Sequence, residues 1–319
     1  MSDIYVHLKA AYQVFENSDE SVQEIIKNHP KAFNLGAQGP DFLFYHRIYP
    51  WTAKSKLKKF GEKIHSESIN EFFISGFKII KETKSEYVKS LLSSYFYGFL
   101  THYAIDTKTH PFIFYYSGHE GGHNHKYFEC LLDTCMAKET KNAFSPTHKK
   151  IKLSLLDRSH IARFVHENIF NVFDQDTPIK AIEQSMSDMV KVLSMLRDPL
   201  HVKKPLIKSI DKVSKSDGKL KTAIFPRVID SSIDYFNSKH EEWYHPCPPH
   251  KSSTASFVDL VEEGELFGIE LIKNAENFME GIISKDTFEG VIQNLGYDTG
   301  IDISNNPIMS KSKKMVQYK

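Results

Sequence analysis

The chain is expected to be all-α. Apolar residues recur at helical spacing along most of its 319 residues, no segment alternates apolar and polar side chains as a half-buried strand does, and no internal repeat is present. The first twenty residues read as an amphipathic helix with Ser2 or Asp3 at its N-cap. A short helix over 21–27 leads into a loop over 28–51 studded with Gly and Pro, where Gly39-Pro40-Asp41 presents a carboxylate from a turn. A long amphipathic helix over 55–81 carries His65. The next, over 86–110, is apolar nearly all round and is therefore the predicted buried central helix, with His102 and Asp106 as polar exceptions that need partners. Pro111 is expected to stop it. A glycine-rich link over 116–124 returns the chain as a helix carrying His125 and Glu129. Helices follow over 158–173, 178–197, 205–215 and 225–238. Residues 240–256 read as a long loop, Ser256 as the N-cap of a helix to 279, and 285–295 as a last short helix. The expected organisation is one helical domain over 1–295 and a polar C-terminal tail over 296–319, disordered from 307 onward.

Bulk composition excludes several classes. Lys plus Arg number 41 against 40 for Asp plus Glu, so no net charge advertises a nucleic-acid or membrane partner. The lysine-rich stretches 148–152 and 202–221 read as solvated faces. Aromatics make up 13%, enough for a substantial core, and Cys130, Cys135 and Cys247 are too sparse for a disulfide framework. No apolar run approaches the length of a membrane span, and the N-terminus lacks the pattern of a signal peptide. A cytoplasmic location is the expectation.

Chemistry concentrates in residues 97–134, which hold five of the sixteen histidines: His102, His110, His119, His123 and His125. His102 with Asp106, and His125 with Glu129, are four residues apart, so each pair shares a helix face and aims an imidazole and a carboxylate at one point. His110 continues the first series by another four. Imidazole nitrogen together with carboxylate oxygen is a donor set for zinc and similar borderline cations. Burying so many such groups without a shared partner costs several kcal/mol, roughly.

In chain order the candidate ligands are His7, Asp41, His65, His102, Asp106, His110, His125 and Glu129. With an early His, the GAQGPDFLFY loop, the GFLTHYAIDTKTHP helix and HNHKYFE, the layout resembles the zinc-dependent phospholipase C family, whose helical fold is shared with the single-strand-specific zinc nucleases. The likeness is tight over about residues 1–135 and looser at NSKHEEWYHP and the helix after it. It implies up to three zinc ions. One would take Asp41, His65, His102 and Asp106; a second His110, His125 and Glu129; a third would share Asp106 and add His7. It also implies Asp41 as general base. Secreted members bind the third ion with a processed N-terminal tryptophan, which this chain lacks. Asp3, four residues before His7, either replaces that amine or is a plain N-cap. The spacing from Asp106 to His110 is four residues where secreted members have six, which would shift the second ion by roughly a turn. Phe42 and Glu62 stand where choline-reading members carry aromatic residues, so choline recognition is not expected. His46, His119, His123, His240 and His245, with Phe42, are candidates for lining the cleft or orienting ligands.

The activity expected is metal-dependent hydrolysis of a phosphodiester or phosphomonoester, on a phospholipid head group or a small phosphoester, with two or three Zn2+ as cofactor. The alternatives are a non-catalytic binding protein stapled by closed metal sites, and a nuclease of the same fold, which would need stacking aromatics and basic charge.

Overall fold

The structure, a computed structural model, describes residues 4–48, 52–53, 55–119, 122–139, 147–196, 229–313 and 315. The order is α1 (Ile4–Glu16), α2 (Glu20–Asn28), α3 (Pro30–Gly36), a 3₁₀ helix (Gly39–Tyr45), α4 (Lys58–Ser66), α5 (Ile69–Glu82), α6 (Glu86–Ser117) and α7 (His123–Glu139). Then come α8 (Thr147–Lys150), α9 (Leu155–Phe173), α10 (Ile179–Leu196), a two-residue hairpin pairing β1 (Trp243–Tyr244) with β2 (Ser252–Ser253), α11 (Phe257–Glu280), α12 (Lys285–Ile292) and a 3₁₀ turn (Ile303–Asn305). The all-α expectation is met.

The central helix is α6, 32 residues long and buried on every side from Leu91 onward, apart from Lys108. Such a helix needs an apolar coat, and the sequence supplies one. Phe72, Phe73 and Phe77 of α5 meet Phe96 and Phe99 of α6 with ring centroids 4.8–6.1 Å apart, and Phe164 of α9 adds an edge-on contact to Phe96. Helices α3 and α11 lie along other faces of α6. Ser256 caps α11 with the reciprocal Ser256–Asp259 capping box, as its sequence position suggests.

Several elements depart from expectation. Pro111 does not end α6, which runs six residues further. The proline only removes the N–H that would have met the Thr107 carbonyl, and burial of Phe112–Tyr116 outweighs that loss. The loop over 28–51 is largely helical, as α3 and the 3₁₀ helix, because Pro30 and Pro40 sit in first turns where no N–H is needed. The helix over 55–81 is two, broken at Glu67 and Ser68, the latter left-handed at φ +50°. The hairpin near 243–253 is strand structure the sequence pattern did not reveal, and residues 229–238 form turns. The helix over 205–215, and Asp3, fall outside the described residues. The segment expected to be disordered from 307 onward lies on the body over its described residues, 307–313 and 315: Lys313 N and Met315 N donate to the Tyr115 and Tyr116 carbonyls at the end of α6.

Two half-buried carboxyls on α11, Glu265 and Glu276, are both pushed up to about 7 and make stability pH-dependent. Burial pushes Glu276 up to about 7, helped by Glu280, and Tyr97 Oη donates to it. The folded protein therefore holds this proton between the ordinary glutamate range and pH 7, and stability falls as pH rises through that window. Glu276→Gln is expected to flatten that slope and to stabilise at pH 8 by up to about 3 kcal/mol, at roughly 1.4 kcal/mol per unit. Urea melts at pH 5 and pH 8 read this directly; an unchanged pH slope in the variant would refute it.

Candidate metal centre

Three helical elements and one 3₁₀ turn aim their polar side chains at one face of α6. His102, Asp106 and His110 stand four residues apart, so they form a row along that face, spanning roughly 12 Å at 1.5 Å per residue. From α1 comes His7, whose Nε2 lies 3.2 Å from Asp106 Oδ1. The buried Asp133 carboxylate of α7 fixes α1 in place by accepting from Tyr5 N and Val6 N at 3.1 and 3.0 Å, two donors a helix start leaves open. Asp133 lies one turn beyond Glu129, so one face of α7 both anchors α1 and faces the row.

The 3₁₀ helix brings Asp41 close because Gly39, at φ +51°, lies against the His102 ring; a Cβ there would come 1.9 Å from His102 Cδ2. Asp41 Oδ1 is 3.4 Å from His65 Nε2 of α4. His65 Nδ1 donates to the Gly61 carbonyl at 2.7 Å, which turns Nε2 toward Asp41 and the cluster. His102 Nε2 is 3.0 Å from Asp106 Oδ2. At the far end of the row His110 Nε2 lies 3.8 Å from Asp106 Oδ1 and 3.7 Å from Glu129 Oε1, and His125 Nε2 lies 2.9 Å from the same Glu129 oxygen.

The side chains thus form three groups whose donor atoms lie within 4.8 Å of one another: His7, His102 and Asp106; Asp41, His65 and His102; His110, His125 and Glu129. His102 belongs to the first two, and Asp106 reaches toward the third. Every ligand position expected from the sequence is brought into this cluster, Asp3 excepted. The four-residue spacing to His110 costs nothing, because α6 continues past Pro111 and keeps His110 on the face opposite Glu129.

Electrostatics bind the groups together. Burial raises the Asp106 carboxyl, but His102 and His110 override it and hold it well below its usual range. Burial lowers His110, yet Asp106, Asp298 and Glu129 raise it well above the ordinary histidine value. Burial keeps His102 below that value, against the pull of Asp106. Burial likewise raises Glu129, and Lys126, with Nζ 3.0 Å from Oε2, reverses the shift.

The donor set fits a zinc-like cation. Bonds of about 2.0–2.2 Å in tetrahedral arrangement put neighbouring ligand atoms roughly 3.3–3.6 Å apart, and the 3.2, 3.4 and 3.7 Å separations bracket that span. His102 Nε2 and Asp106 Oδ1 are both buried and make no hydrogen bond. Atoms in that position satisfy each other poorly and a shared cation well.

Other expected site residues lie elsewhere. Phe42 is fully buried in the apolar core and does not line a cleft. Glu62 is exposed beside Lys58. His46 bonds Ser55, and exposed His240 meets the Thr254 carbonyl. His119 meets Ser312 of the C-terminal segment, and the His123 side chain is outside the described residues. His245 bonds the Thr299 carbonyl, in the turn over residues 296–300. That turn carries two residues sequence reasoning missed. Tyr297 is buried with its ring centroid 4.8 Å from that of His65 and 5.9 Å from that of His102, and Asp298 Oδ1 lies 3.4 Å from His110 Nδ1. No local spacing signals either; Asp133, four residues from Glu129, had a signal that went unused.

A family model described as zinc dependent phospholipase C matches residues 6–176, more than half of the chain, and that span contains every member of the three groups. None of the curated proteins and none of the solved structures matches significantly.

Proposed function

The chain belongs to the zinc-dependent phospholipase C family, and from that membership we propose that it is a zinc-dependent phosphoesterase acting on a phospholipid head group or a related small phosphoester. The observation that carries the reading is the linkage of three donor groups through His102 and Asp106 in one stretch of α6. In this reading Asp41, His65, His102 and Asp106 hold one ion, His110, His125 and Glu129 a second, and His7 with Asp106 a third. Zinc, when bound, supplies Lewis-acid charge that makes water nucleophilic near neutral pH and offsets charge on the phosphoryl group in the transition state.

The protein's own part is to fix and to move protons. Asp41, with its side chain 19% exposed, is the most open carboxylate of the three groups and takes the proton of the attacking water. The new P–O bond forms as the ester P–O bond breaks, and the proton passes on to the leaving alkoxide. Buried Tyr297 closes the side of the cluster next to His65 and excludes bulk water there.

No described helix is long and apolar enough to cross a membrane, so a lipid substrate would be met at a surface or as a dispersed molecule. The test is an assay of zinc-loaded protein on bis-p-nitrophenyl phosphate, p-nitrophenyl phosphate and phospholipid vesicles. Zinc-dependent turnover of at least one is expected. Two or more bound zinc ions without turnover of any would favour a purely structural role.

A further inference from the structure

Beyond the family-matched span, the turn over residues 296–300 is built onto the metal-site face with unusual thoroughness. Inside it, Gly296 N donates to Ile301 O at 2.9 Å, and Thr299 N and Gly300 N donate to Gly296 O at 3.2 and 2.8 Å. Outward, Tyr297 N donates to the carbonyl of His65 itself at 3.0 Å, and Leu295 N donates to Tyr103 Oη of α6 at 3.0 Å. Cys247 N donates to His245 Nδ1 at 3.1 Å, so Nε2 carries that ring's proton and donates to Thr299 O at 3.0 Å. Gly300, at φ +60°, sits against the Thr107 carbonyl, where a Cβ would come within 2.2 Å of the oxygen. This is the carbonyl that Pro111 deprives of its helical donor. The product of all these contacts is the placement of one side chain, Asp298, beside the outer nitrogen of His110.

We propose that Asp298 is a positioning residue for the His110, His125 and Glu129 group. Buried His110 Nδ1 makes no hydrogen bond in this structure, and the Asp298 carboxylate 3.4 Å away is the acceptor placed to take its proton when the ring ligates, holding the ring so that Nε2 faces Glu129 and Asp106. This rests on the reading of that group as a zinc site. The geometry separates the two nitrogens: Nδ1 lies 3.4 Å from Asp298 Oδ1, while Nε2 is the atom 3.7 Å from Glu129. A carboxylate so placed fixes the tautomer, makes the opposite nitrogen a better donor and prevents the ring from turning away. Loss of such a partner lowers metal affinity about ten- to hundredfold. Asp298 is half-exposed, so it lies beside the group rather than within it, and its replacement leaves no cavity in the core.

Chelator-competition titrations with zinc alone, on the full chain and on Asp298→Asn, Asp298→Ala and Asp298→Glu, test this. One ion is expected to bind about ten- to hundredfold more weakly in the Asn and Ala forms, with the others essentially unchanged and Glu recovering part of the loss. Nitrogen-15 histidine spectra of the zinc form are expected to show His110 protonated at Nδ1 in the wild type and to lose that slowly exchanging proton in Asp298→Ala. A wild type that binds zinc with a variant of unchanged affinity and spectrum overturns the proposal while sparing the site. A wild type that binds no zinc removes both. A variant that alters only KM for substrate also overturns it, since Asp298 would then contact substrate instead.

Discussion

Asp106→Asn is expected to reduce kcat/KM by about two to four orders of magnitude and to lower the zinc content by at least one ion. Asp106 sits at the junction of the cluster, 1% exposed, with His7, His102 and His110 at 3.2, 3.0 and 3.8 Å. Asparagine keeps the shape and removes the charge, so any effect is electrostatic. Removing one partner from a buried charged network costs about 3–5 kcal/mol; at roughly 1.4 kcal/mol per factor of ten, this corresponds to two to four orders of magnitude. Zinc stoichiometry by plasma emission and steady-state rates on a phosphodiester make the two measurements. An Asn variant that keeps both full activity and full zinc would remove the basis for the proposed enzyme.

Stripping the ions is expected to cost thermal stability without unfolding the chain. The buried imidazoles and carboxylates pair with one another in part, as His125 with Glu129 and Lys126 with Glu129, so the fold does not depend on metal alone. Ligand binding at a thousand times its dissociation constant stabilises by about 4 kcal/mol. For a chain of this size that corresponds to a fall in Tm on the order of 10 °C when a chelator removes the metal. Differential scanning calorimetry with chelator, and again after zinc is restored, measures it. An identical, zinc-insensitive Tm would mean that the cluster binds no metal with useful affinity.

Much of the candidate site was legible because the residues that form it are local. His102, Asp106 and His110, and separately His125 and Glu129, follow helical spacing, and that spacing fixes a shared face wherever the helix goes. The fold class was equally legible, since helical periodicity persists through most of the chain. Pro111 misled because a local rule about missing N–H groups was outweighed by the burial of five apolar and aromatic residues beyond it. Phe42 misled because its position beside Asp41 says nothing about which way a 3₁₀ turn points it.

The order of residues by itself determined the donor chemistry and its presentation on α6 and α7, because a helix converts sequence separation directly into direction. Only the tertiary structure decided that His7, Asp41 and His65 meet that row, that Asp133 anchors α1, and that Asp298 returns to stand beside His110. Those contacts span about 130–190 positions of chain in the last two cases. They are set by how helices pack and where a Gly-bounded turn can approach a carbonyl, and no short-range pattern encodes that.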